Sequence, residues 1–205
     1  MNKVIHGAFR RDLQRFIAAL GSMDAGDHRR ARELDTAWAN FDDQLTHHHE
    51  GEHETAWPAL QKVGVSTDLL ASMDAEHDTM AAALSVARAA MAELVRTPGR
   101  DQIDGARAAF EDLHAVTVAH LDHEETEVEH VYLDNRDHPA IVEMGKTFAK
   151  VSPARGGRFF AWLLDGASPA ERAAVNDTLP APVLKLLVGV FGRGYRKNVA
   201  PVWSR

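Results

Sequence analysis

Apolar residues recur at alternating steps of four and three along four separate stretches of the chain, and in each stretch a histidine stands where that rhythm asks for leucine. The first stripe is His6, Phe9, Leu13, Phe16 and Leu20; in the second, Leu34, Trp38, Phe41 and Leu45 lead on to His48 and Glu52. The third runs Leu70, Met73, His77, Met80, Leu84, Ala87, Met91, Leu94, and in the fourth Ile103, Ala106, Phe110, Leu113 and Thr117 lead on to His120 and Glu124. Steps averaging about 3.5 residues hold a stripe on one side of a helix, so each stretch is predicted to form a helix with an apolar seam turned inward. Strand signals are weak, and Ala-rich runs such as "MAAALSVARAAMAELV" dominate. The expected fold class is all-α, an up-down-up-down four-helix bundle with a C-terminal helical extension.

The breaks between stripes set the level at which the histidines meet. Gly- and Pro-containing turns are expected at "GSMDAGD" (21–27), "WPALQKVGVS" (57–66) and "RTPGRD" (96–101). In antiparallel neighbours, residues on one level are equidistant from the turn that joins them. The midpoint of His6 and His48 is 27, that of His48 and His77 is 62.5, and that of His77 and His120 is 98.5. All three fall in or at the edge of a predicted turn, so the four histidines share one level of the bundle to within a helical turn. The chain also repeats itself: His6 to His77 is 71 residues, while His48 to His120 and Glu52 to Glu124 are each 72. Two helical hairpins therefore carry the same arrangement of a histidine followed by H-x-x-x-E.

This pattern has a chemical consequence. Residues four apart share a helix face, so His48 with Glu52 and His120 with Glu124 can each offer an imidazole nitrogen and a carboxylate oxygen to one point. An isolated H-x-x-x-E pair is ordinarily a surface contact, but two copies with level-matched partner histidines place four imidazoles and two carboxylates inside a core. Burying uncompensated carboxylates costs several kcal/mol each, against a net stability of about 5–15 kcal/mol for a domain. No Lys or Arg lies in the seams to offset them, which points to bound metal. Two facing Glu can bridge a pair of metal ions, each capped by two His, and the mixed nitrogen and oxygen donors favour iron or manganese over a closed structural zinc site. The chain has no cysteine, which excludes thiolate metal sites, disulfides and cysteine nucleophiles and fits a reducing cytoplasm.

These residues resemble the hemerythrin-like HHE cation-binding domains. The resemblance covers about residues 3–135 through "IHGAFRRDL", "HHEGEHETAWPAL", "AEHDTMAAAL" and "HLDHEETEVEH". It implies a bundle around a non-haem di-iron centre with Glu52 and Glu124 as bridging carboxylates. It also implies binding of oxygen, or a response to oxygen, nitric oxide, peroxide or iron. Oxygen-carrying members use five histidines, two of them four apart on the third helix, whereas Met73 and Ala81 flank His77 at that spacing here. A further nitrogen ligand is expected from His49 or His123, which lie at similar angles from the H-x-x-x-E faces. Some family members ligate through the residue after the second-helix histidine, which is His49 here. The expected metal ligands are thus His6, His48, His49, Glu52, His77, His120 and Glu124. His47, His53 and His130 point further away, His28, His114 and His138 are surface or capping residues, and Glu125 and Glu127 face solvent.

The expected division is a bundle over 1–138 and an extension over 139–205. Residues 1–140 hold 13 Lys and Arg against 26 Asp and Glu, while 141–205 hold 10 against 4. The acidic body repels nucleic acid. In the extension, "ARGGRFFAWLLDG" and "SPAERAAVNDTL" read as short helices and "APVLKLLVGVFGRGYRKNVAPVW" as one amphipathic helix. Its apolar residues need cover, on the bundle or in a homodimer, and their run is too short for stable membrane association. The function expected is binding or sensing of oxygen, nitric oxide or peroxide. The alternatives are peroxide decomposition by the same centre and iron-dependent regulation. Whether the protein is an enzyme stays open: no catalytic residue apart from the metal ligands is apparent, since Tyr132 would lie about three turns beyond His120 on a continuous helix.

Overall fold

The structure is a computed structural model describing residues 1–204. Four long helical segments carry the stripes: α1 (Asn2–Gly21), α2 (His28–Gly51), α4 (Thr67–Arg96) and α5 (Arg100–Glu127), with α3 (Trp57–Lys62) continuing α2. α1 packs on α2 and α5, and α4 packs on the same two helices, closing the up-down-up-down bundle. Among the described residues there is no strand. Every apolar seam position predicted above is buried, as are Thr117, His6 and His120.

The turns follow from local chemistry. Asp27 caps α2 by accepting from the Arg30 N–H at 2.8 Å, after Gly26 with φ +87°. Gly26 N–H donates to Pro98 O at 2.7 Å, tying the first and third turns together at one end of the bundle. The second turn differs from expectation. Trp57 and Pro58 do not stop the helix: a five-residue π segment, Glu52–Ala56, carries the chain into α3, and the reversal waits until Val63–Ser66. The N–H of Trp57 bonds Glu52 O, five residues back, so the helical ladder is already displaced where Pro58 lacks its donor. Gly64 at φ +97° then makes the turn, and Ser66 caps α4 by accepting from Leu69 N–H.

Beyond the bundle lie α6 (Glu129–Asp134), α7 (Pro139–Phe148), α8 (Pro153–Leu164), α9 (Pro169–Asn176) and α10 (Ala181–Leu186). A second π segment (Leu187–Phe191), α11 (Arg193–Asn198) and a 3₁₀ turn (Ala200–Ser204) follow. The expected single helix from 181 onward is therefore broken, with Gly192 at the bend. The reason is close approach: a Cβ on Gly192 would stand 2.7 Å from that of Ala161, and one on Gly157 would collide with that of Phe191. The two glycines let α8 and this segment pack backbone to backbone. Ser168 forms the capping box with Glu171 that starts α9, and His138 caps α7 by accepting from Ala140 N–H. No single helix is long and apolar enough to cross a membrane; only α9 with Ala181–Phe191 reaches the length, bent by 111°.

The extension is fastened to α1 through Asp12, which is buried. Its carboxylate accepts from Trp162 Nε1 at 2.8 Å, Arg11 Nε at 2.9 Å and Arg15 Nη1 at 3.2 Å. Arg15 also reaches Asp165, which accepts from the Tyr195 hydroxyl at 2.9 Å. Trp162 is wholly buried and packs on Phe9 with ring centres 5.1 Å apart. Replacing it with alanine removes a large buried ring and leaves Oδ2 of Asp12 without its donor, so W162A is expected to lower unfolding free energy by about 3–5 kcal/mol in urea titration. A loss below about 1 kcal/mol would mean that the extension is held elsewhere.

Candidate metal centre

The histidine level forms near the end of the bundle opposite the paired turns, where α1 begins, α2 passes into its π segment, α4 begins and α5 ends. His6 and His48 rings lie 5.3 Å apart, His77 and His120 4.6 Å, and His49 stacks on His77 at 4.3 Å and 20°. Two groups of potential donors result: His6, His48, Glu52 and Glu124, and His49, Glu52, His77 and His120. Within each, the donor atoms all lie within 4.8 Å of one another. Glu52 belongs to both. One of its oxygens is 3.1 Å from His48 Nε2 and the other 3.4 Å from His77 Nε2, a bridging disposition. All seven residues singled out in the sequence are thereby brought together, and of the two alternatives for the extra nitrogen it is His49 that stands among them. His123 instead donates through Nδ1 to Glu76 Oε1 at 2.8 Å.

Most of the donor atoms point at shared space rather than at a partner. His6 Nε2, His48 Nε2, His49 Nε2, both Glu52 oxygens and Glu124 Oε2 are buried and without a hydrogen bond. His6 Nε2 stands 3.1 Å from Glu124 Oε2 without hydrogen-bond alignment. His77 Nε2 and His120 Nε2 face each other at 3.1 Å, which satisfies both only if one carries a proton. So many orphaned polar atoms in one core would be costly, and a cation bound by each group satisfies them together. The residues present fit a pair of metal ions.

Carboxylates behind the rings set which nitrogen faces inward. His6 Nδ1 donates to Glu125 at 2.9 Å, and His120 Nδ1 donates to Glu76 Oε2 at 2.8 Å, leaving each Nε2 directed at the centre. Glu125 therefore does not face solvent as expected: Arg10 donates to the same oxygen, Oε1, at 2.7 Å while also bonding Asp122. Asn2 Nδ2 donates to Glu124 Oε1 at 2.9 Å, and Trp57, stacked on His77, donates to Asp74 at 2.9 Å. Sequence reasoning missed these supports because Glu76 and Glu125 sit one place off the seams and act across to a neighbouring helix. Tyr132 is a further difference. α5 ends at Glu127, the chain turns at Val128, and Tyr132 returns to pack with Trp57, Leu60 and Met73 instead of projecting three turns away.

Electrostatics divides the donors into two sets. Burial, then the neighbouring imidazoles, drives His48 and His49 well below the ordinary histidine value and brings His77 down to about 4; burial also lowers His120. These four imidazoles are neutral at pH 7. Burial and then Glu124 push Glu52 well above the usual carboxylate range. For His6, burial opposes protonation but the adjacent carboxylates of Glu124 and Glu125 outweigh it, so its value rises, while Glu125 is held down at about 2 chiefly by His6 and then Arg10. Burial likewise raises Tyr132, with Glu124 and Glu52 adding to it, so the phenol keeps its proton near the carboxylates.

A bundle holding paired His and Glu donor groups defines a cation-binding four-helix protein. The family model of the hemerythrin HHE cation-binding domain matches residues 3–132, and the chain belongs to that family. Comparison with curated proteins and with solved structures finds no match.

Two outcomes test the centre. A carboxyl raised in the fold adds stability that is fully present below its unfolded value near 4.5 and is lost as pH rises through its folded value. Metal-free E52Q should therefore melt above the metal-free wild type at pH 8, and the gap should close toward pH 4.5. With metal the order should reverse, because the amide keeps only one oxygen and no charge, so the bridging carboxylate is lost. Separately, burial favours the protonated form of Glu52 and a bound cation favours its carboxylate, so loading at pH 7 in weak buffer should release protons. An indicator dye reads this, and no release would contradict the assigned protonation.

Proposed function

We propose that this chain holds two iron ions and uses them to bind or sense oxygen, nitric oxide or peroxide. His6, His48, Glu52 and Glu124 would hold one ion, and His49, His77, His120 and Glu52 the other. The observation that carries the reading is the set of buried, unpartnered nitrogen and oxygen atoms with Glu52 common to both groups. Imidazole with carboxylate suits iron, and manganese or zinc would meet the same donors. Bound iron supplies the one-electron exchange and open coordination that a diatomic gas or peroxide needs.

The protein's own side chains do the rest. Glu76 and Glu125 orient His120 and His6, Trp57 and Phe9 wall the rings of His77 and His48, and the apolar seam beneath excludes water. Three imidazoles and a shared carboxylate on one side, against two imidazoles and two carboxylates on the other, make the ions unequal. Peroxide decomposition is a second reading, and Tyr132 favours it: a phenol that keeps its hydrogen at the Glu52 and Glu124 end of the bundle can donate a hydrogen bond to a peroxide there.

Metal analysis of the purified protein should give about two iron per chain, with visible absorption that changes on adding nitric oxide or peroxide. A spectral change without oxygen evolution supports sensing, and steady evolution that disappears in His120→Ala supports the enzyme. Wild-type protein that retains no transition metal after reconstitution would refute both.

A further inference from the structure

A cleft of about 550 Å³ opens between α2 and α4, and its floor includes His49 and His77, two donors of one candidate ion. Its apolar wall is Leu45, Met80, Ala81 and Leu84. Beside the two donors, the lining holds four carboxylates, Glu50, Glu54, Asp74 and Asp78, against one guanidinium, Arg88, together with Thr46 and His53, whose Nδ1 lies 3.2 Å from Asp74. That guanidinium is neutralised, since it makes a two-pronged pair with Asp42 at 2.8 and 2.7 Å. Glu50, Glu54 and Asp78 are exposed at the rim, whereas Asp74 is half-buried. Asp74 lies 3.8 Å from His77 Nδ1, so negative charge continues from the rim to the ring that forms the floor.

We propose that this cleft is the route by which divalent cations enter the centre, with Asp78, Glu50 and Glu54 drawing them in and Asp74 passing them to His77 and His49. The inference rests on the reading of the bundle as a metal centre and adds its loading path. A cleft of one charge sign with low-dielectric walls focuses its field outward and raises the arrival rate of oppositely charged ions by 10-fold to about 1,000-fold. The apolar side, with no polar partner to offer, leaves the acidic side as the face along which a hydrated cation travels. The same field disfavours anions, so neutral gases and peroxide, rather than anionic oxidants, are the reactants this opening admits. The group with three imidazoles, His49, His77 and His120, is the first that an entering ion meets.

Anaerobic stopped-flow mixing of metal-stripped full-length protein with Co²⁺, followed by visible absorption, tests the route. In the D78K/E54K variant, uptake at low ionic strength should slow by about ten-fold, and the difference should shrink at high salt, where exposed charges are screened. Ala81→Trp, which narrows the opening without changing charge, should slow uptake at both salt concentrations. In every case the final stoichiometry should equal that of wild type. Unchanged rates in both variants, with full stoichiometry, would overturn the route while leaving the centre intact. Lower stoichiometry in D78K/E54K would also overturn it, because these residues would then hold an ion instead of guiding one. Wild-type protein that takes up no Co²⁺ would overturn the centre and the route together.

Discussion

Two carboxylates facing one another inside a helical core are the constraint on which this structure depends. Glu52 and Glu124 are buried, carry oxygens without hydrogen bonds, and are surrounded by imidazoles that burial keeps mostly neutral. In water each carboxylate would be fully solvated; here each must be protonated, paired with His6, or shared with a cation. Only the last satisfies both carboxylates and the orphaned ring nitrogens at once. Much of the surrounding architecture supports that arrangement. The π segment begins at Glu52, and Asn2 reaches from the first turn of α1 to Glu124. Glu76 and Glu125 turn two imidazoles so that their free nitrogens face inward.

The bundle was legible in the sequence because a seam and its exceptions obey the same periodicity. A helix that buries Phe9, Leu13 and Phe16 must also bury His6, and the same holds for His120 after Phe110, Leu113 and Thr117. Equal distances from the turns then brought the histidines together, since antiparallel helices of similar rise keep level partners level. What the periodicity could not carry is anything that acts across helices from outside a seam. Glu76 and Glu125 flank seam positions, and from the sequence they are indistinguishable from Glu127, which is exposed. The choice between His49 and His123 was likewise undecidable from helical angle. The fold separates them by stacking His49 on His77 and by turning His123 onto Glu76.

The misplaced breaks have a common physical cause. Pro58 reads as part of a turn, yet it sits in a helix whose ladder has already slipped by one residue; Gly192 reads as lying inside one helix, yet the helix breaks there and, with Gly157, it serves close packing. Local signals of this kind record what the backbone tolerates, and tertiary contacts decide how the tolerance is used. Tyr132 shows the opposite error. A straight continuation of α5 would have carried it away, but the bend at Val128 returns it to the cluster containing Trp57 and Met73.

The extension bears on the centre through packing alone. Trp162 meets Phe9, and Phe9 lies against His48 with ring centres 5.3 Å apart, so an unbroken line of rings runs from α8 to a donor of the first group. Asp12 fixes the outer end of that line by accepting from Trp162, Arg11 and Arg15. His48 has a special need of such support, because no carboxylate stands behind it as Glu125 stands behind His6 or Glu76 behind His120. Its orientation rests on Phe9 and on the helix itself. In that respect the C-terminal residues supply by rigid aromatic contact what charged hydrogen bonds supply to the other two rings.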